Sequence, residues 1–390
     1  MVRALYGPHM GRSDYGEPVE FTVDTPSGAR TVTITSPAKP MFPAAADGAP
    51  ALTKLDLAEY YVAVGEPLLR WVHDRPVLLE RYPDGVGGSS FFQKRIPDST
   101  PEWLATTRVH TVNGTPSRAL LIATLGEVLW AVNMGVLGLH VWPYRVADAT
   151  PRVDTPAATQ ADWLGAGALV SHPSDELRID LDPSPGQTFD DIREAALHAR
   201  VYFAELGITS YVKTSGSKGL HIYVRVADGY DAFQVRAASV SVARELARRH
   251  PDLITDQWWR ELRDGRVFVD FNQNAPHKNV FGAWGVRARP DAQVSTPIEW
   301  DELLDIDPEE LTVRTVPARL AERGDPWAAM DDHPQDIAML VEQFADDLAN
   351  GVPDAPWPPV YPKMPNEAPR VQPSRARHDE RAGTGECVEE

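Results

Sequence analysis

Cysteine is almost missing from this chain: Cys387 is the single one among 390 residues. That excludes an internal disulfide, a cysteine-liganded zinc and a dithiol redox pair. Long apolar runs are missing too. Nothing approaches the ~18 residues that a membrane span needs, and no secretory apolar core follows Met1. A cytoplasmic setting away from membranes is therefore expected. The phosphate loop of spacing G-x-x-x-x-G-K-[ST] is absent, as is any internal repeat. Positive charge is also in deficit, with 38 Lys and Arg against 56 Asp and Glu, a formal charge of −18.

This deficit does not exclude a phosphate-rich partner, because it is unevenly spread. Residues 301–390 hold 21 acidic and 8 basic side chains, whereas residues 1–300 hold 35 and 30. From Arg193 to Arg249 the balance reverses, with 9 basic against 5 acidic residues. A Debye length of about 8 Å at physiological salt lets a local basic groove act independently of a distant acidic tail. Weak non-specific binding is the expectation, since few phosphates are neutralised together.

What the chain does have is a pair of carboxylates in an apolar run, Glu176-Leu-Arg-Ile-Asp-Leu-Asp-Pro183. In a strand, residues two apart share a face, so Asp180 and Asp182 point the same way at its end. An apolar surrounding does not accept two unpaired charges side by side, and a cation between them resolves the conflict. A third carboxylate, Asp270, ends the apolar run Arg266-Val-Phe-Val-Asp270. Asp305-Ile-Asp307 repeats the spacing in an acidic, helix-prone stretch without a β-rich flank, and reads as solvated surface. Between the strand-end carboxylates lies Thr214-Ser-Gly-Ser-Lys-Gly-Leu-His221, flanked by β-like runs. Two glycines allow a tight turn that presents N–H groups, and Ser215, Ser217, Lys218 and His221 add anion donors. Hard-metal ligands beside an anion loop point to nucleotidyl transfer.

These three motifs, in this order, resemble those of the archaeo-eukaryotic primase superfamily. The likeness is strongest to the polymerase domain of bacterial DNA ligase D and its stand-alone actinobacterial relatives. It extends through Ser36-Pro-Ala-Lys-Pro-Met-Phe-Pro43, Leu52-Thr-Lys-Leu-Asp-Leu-Ala-Glu-Tyr-Tyr61, Glu80-Arg-Tyr-Pro-Asp-Gly-Val-Gly-Gly88, Ser90-Phe-Phe-Gln-Lys94 and Val286-Arg-Ala-Arg289, and covers roughly residues 17–340. The resemblance implies an α/β (α+β) primase-polymerase fold, with a β-rich N-terminal half and a mixed-sheet catalytic half flanked by helices. It implies catalytic, metal-holding roles for Asp180, Asp182 and Asp270, with two Mn²⁺ (or Mg²⁺) ions. Nucleotide contacts fall on Ser215, Lys218, His221, His140, Arg287, Arg289 and Gln273. DNA contacts fall on Lys39 and Lys54 at a 5′-phosphate, on Arg81, and on Phe91 and Phe92 stacking near the template.

Two departures stand out: Glu80, where relatives often carry a basic residue, and an insertion-like Ala44-Ala-Ala-Asp-Gly-Ala-Pro50. Taken alone, several of these residues have plainer readings. His140 reads as a structural histidine, and Phe91-Phe92 as one ring in the core and one on the surface. Arg287 and Arg289 read as a ladder on one strand face, and Lys54 as a helix start after a Thr53–Asp56 capping box.

The activity so implied is template-directed nucleotide addition. The enzyme fills short gaps or extends DNA ends in end joining or excision repair, favours ribonucleotides and acts near the nucleoid. Its partners are gapped or broken DNA with a 5′-phosphate and NTP or dNTP. No Lys-x-Asp-Gly ligase motif occurs, so a separate DNA ligase and Ku are expected to assist. A metal-dependent phosphoesterase and a non-catalytic DNA end-bridging module are the alternatives. The first leaves the anion loop without a purpose, and the second does not need the carboxylates.

Apolar residues make up 43% of the chain, enough for a sizeable core. Residues 1–16 read as a loose arm and 17–345 as the catalytic domain. Within it, 17–150 form a DNA-binding half and 157–345 a metal- and nucleotide-binding half, with Pro151–Pro156 between them. Strands are expected over Val19–Val23, Arg30–Ile34, Val77–Tyr82, Ser90–Lys94 and Val109–Val112. Helices are expected over Lys54–Arg70, Leu125–Met134, Phe189–Leu206 and Phe233–Arg249. Residues 346–390, rich in proline and charge, read as a poorly ordered tail.

Overall fold

Alternating burial builds the first sheet. In Val19–Thr25 (β2), Val19, Phe21 and Val23 face inward while Glu20 and Asp24 face solvent. It pairs with Arg3–Leu5 (β1) and, through a tight turn at Gly28, with Gly28–Ile34 (β3). Pro40–Phe42 (β4) then pairs with Leu52–Thr53 (β5). This computed structural model describes residues 3–5, 15–45, 48–110, 116–146 and 173–370. Most of the N-terminal arm, Asp47 of the insertion, the Pro151–Pro156 boundary, Cys387 and residues 371–390 lie outside the described residues.

The helix expected over 54–70 is two helices, Lys54–Ala63 (α1) and Gly65–Val72 (α2). Pro67 explains the break: it has no N–H for the Ala63 carbonyl and its ring crowds that carbonyl, but it is tolerated in a first turn. The Thr53–Asp56 capping box before α1 is present. A second box, Thr124–Glu127, starts Leu125–Asn133 (α3).

The N-terminal half centres on a six-stranded sheet. Its members are Arg75–Arg81 (β6), Phe91–Gln93 (β7), Thr106–His110 (β8), Pro116–Ile122 (β9), Val136–Val141 (β10) and Val280–Phe281 (β16). The order is β16-β10-β6-β9-β8, with β7 also on β6. The catalytic half has a second six-stranded sheet, made of Glu176–Asp182 (β11), Tyr211–Thr214 (β12), Leu220–Arg225 (β13), Ile254–Thr255 (β14), Val267–Asp270 (β15) and Pro297–Ile298 (β17). Its order is β14-β15-β11-β13-β12-β17, with only β14–β15 parallel. Phe189–Glu205 (α4) and Ala232–Arg249 (α5) pack against it. The mixed α+β architecture matches expectation, and β16 ties the site's far wall to the N-terminal sheet.

Buried ions join the two halves. Arg75 of β6 donates to both oxygens of Asp175 at 2.8 and 2.7 Å, and Trp71 Nε1 donates to Glu176 at 2.8 Å. Burial pushes the Glu176 carboxyl up, but Arg75, Arg178 and Arg225 outweigh it and hold the group at about 2.

The C-terminal segment departs from expectation. After Val316–Arg323 (α6), the helix Ala338–Ala349 (α7) runs through residue 346, and the chain then folds back with Asp354, Trp357, Tyr361 and Glu367 buried. Two aromatic anchors packing on Ala275 and Phe233 supply the apolar burial that a disordered tail lacks. Its prolines also lower the entropy lost on ordering. Asp305 and Asp307 are exposed, flanking short 3₁₀ turns rather than lying in a longer helix. No helix among the described residues is long and apolar enough to cross a membrane.

Candidate active site

Strand register assembles the chemistry. Lys213 on β12 faces His221 on β13, His221 faces Asp180 on β11, and Asp180 faces Asp270 on β15. Directly opposed residues project from the same face, so the four form one lateral row. Asp182 adds a third carboxylate two residues beyond Asp180. Oxygens of Asp180, Asp182 and Asp270 all lie within 4.8 Å of one another.

Their electrostatics favour a positive charge among them. Burial, then Asp182 and Asp270, raise the Asp180 carboxyl well above its usual range, and Lys213 and Arg287 only partly oppose this. Burial raises Asp182, the most open of the three, against Arg263 and Arg260. Burial, then Asp182, raise Asp270. Asp270 is oriented by the turn that follows it: Asn272 N donates to Oδ1 at 3.0 Å and Gln273 Nε2 to Oδ2 at 2.8 Å. Three clustered, strained carboxylates of this kind suit hard divalent cations.

His221 is spoken for. Its Nε2 lies 3.3 Å from Asp180 Oδ1, while Nδ1 is buried without a hydrogen-bond partner. Burial, then Lys213, Arg287 and Arg178, lower the ring well below its usual range, so it is neutral. Lys213 is fully buried, with Nζ donating to Ser295 Oγ at 2.6 Å. Sequence reasoning missed it, although a lysine inside the apolar run before the loop was the available signal.

The loop after β12 is a closed turn. Ser215 N donates to Gly219 O at 3.0 Å, and Ser215 Oγ accepts from Ser217 N and Gly219 N at 3.1 and 3.0 Å. Both glycines are required. A Cβ on Gly216 (φ 68°) would sit 2.8 Å from Ser295 N, and one on Gly219 would sit 2.5 Å from Leu181 O. Arg287 and Arg289 are not on a regular strand. They lie in an irregular segment beside the isolated Val286–Val294 bridge, and each grips the loop. Arg287 Nε donates to Ser215 O at 2.8 Å, and Arg289 Nη1 to Ser217 Oγ at 2.9 Å. Arg287 also stacks 3.5 Å over Phe281, and burial brings its guanidinium down to about 10.

These groups line one cleft of about 530 Å³. Asp180, Asp182, Ser215, Lys218 and His221 are in its wall, together with Gln273, Arg287, Arg289 and His140. Asn279, which sequence reasoning did not single out, joins them. A larger groove of about 1040 Å³ elsewhere is lined by seven carboxylates against three arginines, unfavourable to a triphosphate. The basic run from Arg193 to Arg249 does not form a phosphate groove. Its arginines pair with Asp190, Asp301, Asp347 and Glu245 among others, or are buried.

The N-terminal sheet supplies the opposite side. His140 on β10 lies edge-on to Phe92 and Phe281, with ring centres 5.2 and 5.3 Å away. Its Nε2 is 3.2 Å from Glu80 Oε2, a contact that leads in holding the Glu80 carboxyl down. Glu80 thus completes a pair with His140. Phe91 and Phe92 are both exposed, at 47% and 52%, so neither is a core residue. Arg81 stacks 5.2 Å from the Phe91 ring and donates to Met134 O and Gln93 Oε1. Lys39 and Lys54 are brought together by β4–β5 pairing, with Lys54 N donating to Lys39 O at 2.9 Å. Lys54 Nζ is buried on Thr35 O and Asn133 O at 2.9 and 3.1 Å. Burial, then Lys39, lower its pKa. Lys39 Nζ reaches Asp84 at 3.1 Å. This pair stands apart from the residues of the cleft wall.

A family model described as the LigD primase-polymerase domain matches residues 53–327. The chain belongs to this family. It is 31% identical over 300 residues to the multifunctional non-homologous end joining DNA repair protein LigD of Mycobacterium tuberculosis, covering 77% of this chain and 37% of that protein. Against the LigD protein of Pseudomonas aeruginosa the identity is 30% over 279 residues, covering 71% and 30%. The chain thus spans about a third of the length of these relatives. Among solved structures, the polymerase domain of Mycobacterium tuberculosis ligase D in complex with DNA superposes with a TM-score of 0.67 at 30% identity, covering 78% of this chain and 99% of that one. The LigD-type resemblance drawn from the motifs therefore holds over most of the described fold.

Proposed function

We propose that this LigD-family chain is a template-directed nucleotidyltransferase that fills short gaps or extends ends of DNA during repair, such as end joining. The observation that carries the reading is the meeting of two groups of residues in one cleft. Asp180 and Asp182, clustered with Asp270, line the same cleft as Ser215 and Lys218 of the loop and as Arg287 and Arg289. Asp180, Asp182 and Asp270 would hold two divalent ions, manganese or magnesium. When bound, these supply Lewis-acid activation of the primer 3′-hydroxyl and neutralise charge on the leaving pyrophosphate.

The remaining roles fall to this chain's own groups. Lys218, Arg287 and Arg289 place fixed positive charge on the triphosphate side. Gln273 holds Asp270 and borders the nucleotide. His140, tied to Glu80, faces the sugar, where its ring can exchange a hydrogen bond with a 2′-hydroxyl. This supports a preference for ribonucleotides. Phe91 and Phe92 offer exposed faces on which template bases stack, and Arg81 braces them. Lys39 and Lys54 converge as a point of positive charge for a downstream 5′-phosphate. A DNA ligase that seals the product and Ku as an end-holding protein are the proposed partners.

Primer extension on gapped DNA, with Mn²⁺ or Mg²⁺ and with ribo- or deoxynucleotides, tests the reading. Extension is expected, fastest with Mn²⁺ and ribonucleotides. Hydrolysis of DNA or nucleotide without extension would instead make the chain a phosphoesterase. Binding of ends with neither reaction would make it a bridging module.

A further inference from the structure

The segment from Asp354 to Glu367 lies beyond the stretch that matches the family model, which ends at residue 327. Yet it closes directly onto the turn that carries Asp270. Its centre is Arg236 of α5, 1% exposed, with its guanidinium 3.8 Å from the Trp357 ring and 5.5 Å from the Phe271 ring. All three guanidinium nitrogens are committed. Nε donates to Asn272 Oδ1 at 3.0 Å, Nη1 to Asp354 Oδ1 at 3.0 Å and Nη2 to Ala355 O at 2.9 Å. The other end of the Asn272 amide donates to Pro356 O at 2.9 Å. Asn272 is therefore gripped at both ends, and its own N–H donates to Asp270 Oδ1.

The segment is itself stapled shut. Trp357 Nε1 donates to Asp354 Oδ2 at 2.7 Å, and Glu367 accepts from Trp357 N and Met364 N at 2.8 and 3.0 Å. Further along, the Tyr361 hydroxyl donates to Pro276 O. The strap thus holds the connection from Asp270 to the cleft wall at Asn279 at two points, Asn272 and Pro276. An ordinary surface tail needs neither a fully buried arginine nor a doubly held asparagine.

We propose that residues 354–367 are a positioning strap for the metal site, fixing the Asp270 carboxylate through Arg236 and Asn272. This rests on the reading of Asp270 as a metal ligand. Groups that orient a ligand without touching the metal are typically worth about 10–100-fold in metal affinity, so their loss is measurable without any turnover.

The test is Mn²⁺ titration of the full chain, followed by the electron paramagnetic resonance of free Mn²⁺, without DNA or nucleotide. Trp357→Ala is expected to weaken Mn²⁺ binding about tenfold. Trp357→Phe, which keeps a ring over Arg236, should restore most of it. Metal-free affinity for gapped DNA should stay at the wild-type value in both, because the strap's contacts fall on Arg236, Asn272 and Pro276 rather than on Phe91 or Lys54. Asp354→Asn, isosteric and gentler, should weaken Mn²⁺ binding several-fold and decides the matter should Trp357→Ala not fold. Wild-type Mn²⁺ affinity in folded Trp357→Ala and Asp354→Asn, with binding lost in Asp270→Ala, overturns the strap alone. Wild-type affinity in Asp270→Ala overturns the metal reading, and the proposal with it.

Discussion

His221 stands between a buried lysine and a partly buried carboxylate, with its Nε2 3.3 Å from Asp180 Oδ1. A neutral ring in that place lies against Asp180 through Nε2 and leaves Nδ1 buried without a hydrogen-bond partner. It therefore belongs to the metal side of the cleft more than to the triphosphate side. His221→Ala is predicted to weaken Mn²⁺ binding about tenfold. Lys218→Ala should instead raise the nucleotide KM at unchanged Mn²⁺ affinity, since a point charge on the phosphates is lost while the carboxylates remain. Identical effects of the two variants on both quantities would contradict this division.

Asp180→Asn or Asp182→Asn should reduce extension about a thousandfold or more, as expected when charge stabilisation worth several kcal/mol is removed. The fold should survive. Relief of repulsion among the three carboxylates predicts that the metal-free Asp180→Asn variant melts above wild type at neutral pH. A lower melting temperature would show that the carboxylate is structurally needed.

The same repulsion gives a pH signature. Asp180, Asp182 and Asp270 all have raised pKa values in the folded chain. The folded state holds protons that the unfolded chain has already released, so its contribution to stability falls as pH rises above the ordinary carboxylate range, through the raised values. Metal-free melting temperatures should show that decline relative to Asp180→Asn, and added Mn²⁺ should abolish it. A flat difference between the two proteins across this range would rule it out.

Lys39 and Lys54 should make the chain prefer a gap bearing a 5′-phosphate over one ending in 5′-hydroxyl by several-fold. Fully exposed pairs of this sort are worth only about 0–1 kcal/mol, but Lys54 is 7% exposed and already fixed in place. The Lys39→Ala, Lys54→Ala double variant should lose the preference yet still extend an open primer-template. Four affinities at one salt concentration measure the coupling. An equal preference in both proteins would place the phosphate elsewhere.

Much of this site could be read from the chain because its signals are local. The spacing of Asp180 and Asp182 set a shared strand face, and the residues from Thr214 to His221 announced a donor-rich turn. Asp270 showed as the carboxylate ending a second apolar run, while family register carried His140 and the arginines. What could not be read depends on neighbours distant in sequence. Lys213 joins the carboxylate row only through its strand partners, and Arg287 and Arg289 were given a regular strand where the turn at Trp284 and the bend at Ala288 and Arg289 interrupt the chain. The strap looked disordered because its composition is proline-rich. Composition reports the entropy of ordering but not the aromatic contacts that offset it.

The ions joining Arg75 to Asp175 and Glu176 bear finally on motion. They fasten the sheet that carries His140 to the sheet that carries Asp180. Breaking such a buried pair leaves uncompensated charge, at a cost of about 3–5 kcal/mol. The cleft therefore behaves as a mould with fixed walls, and small-angle scattering should give the same radius for the chain with and without Mn²⁺ and nucleotide. A rigid mould has no closing step with which to reject a poorly fitting nucleotide. On the proposed activity, choice among bases would then fall to template pairing, and readiness to act on ragged ends would come with tolerance of the wrong base.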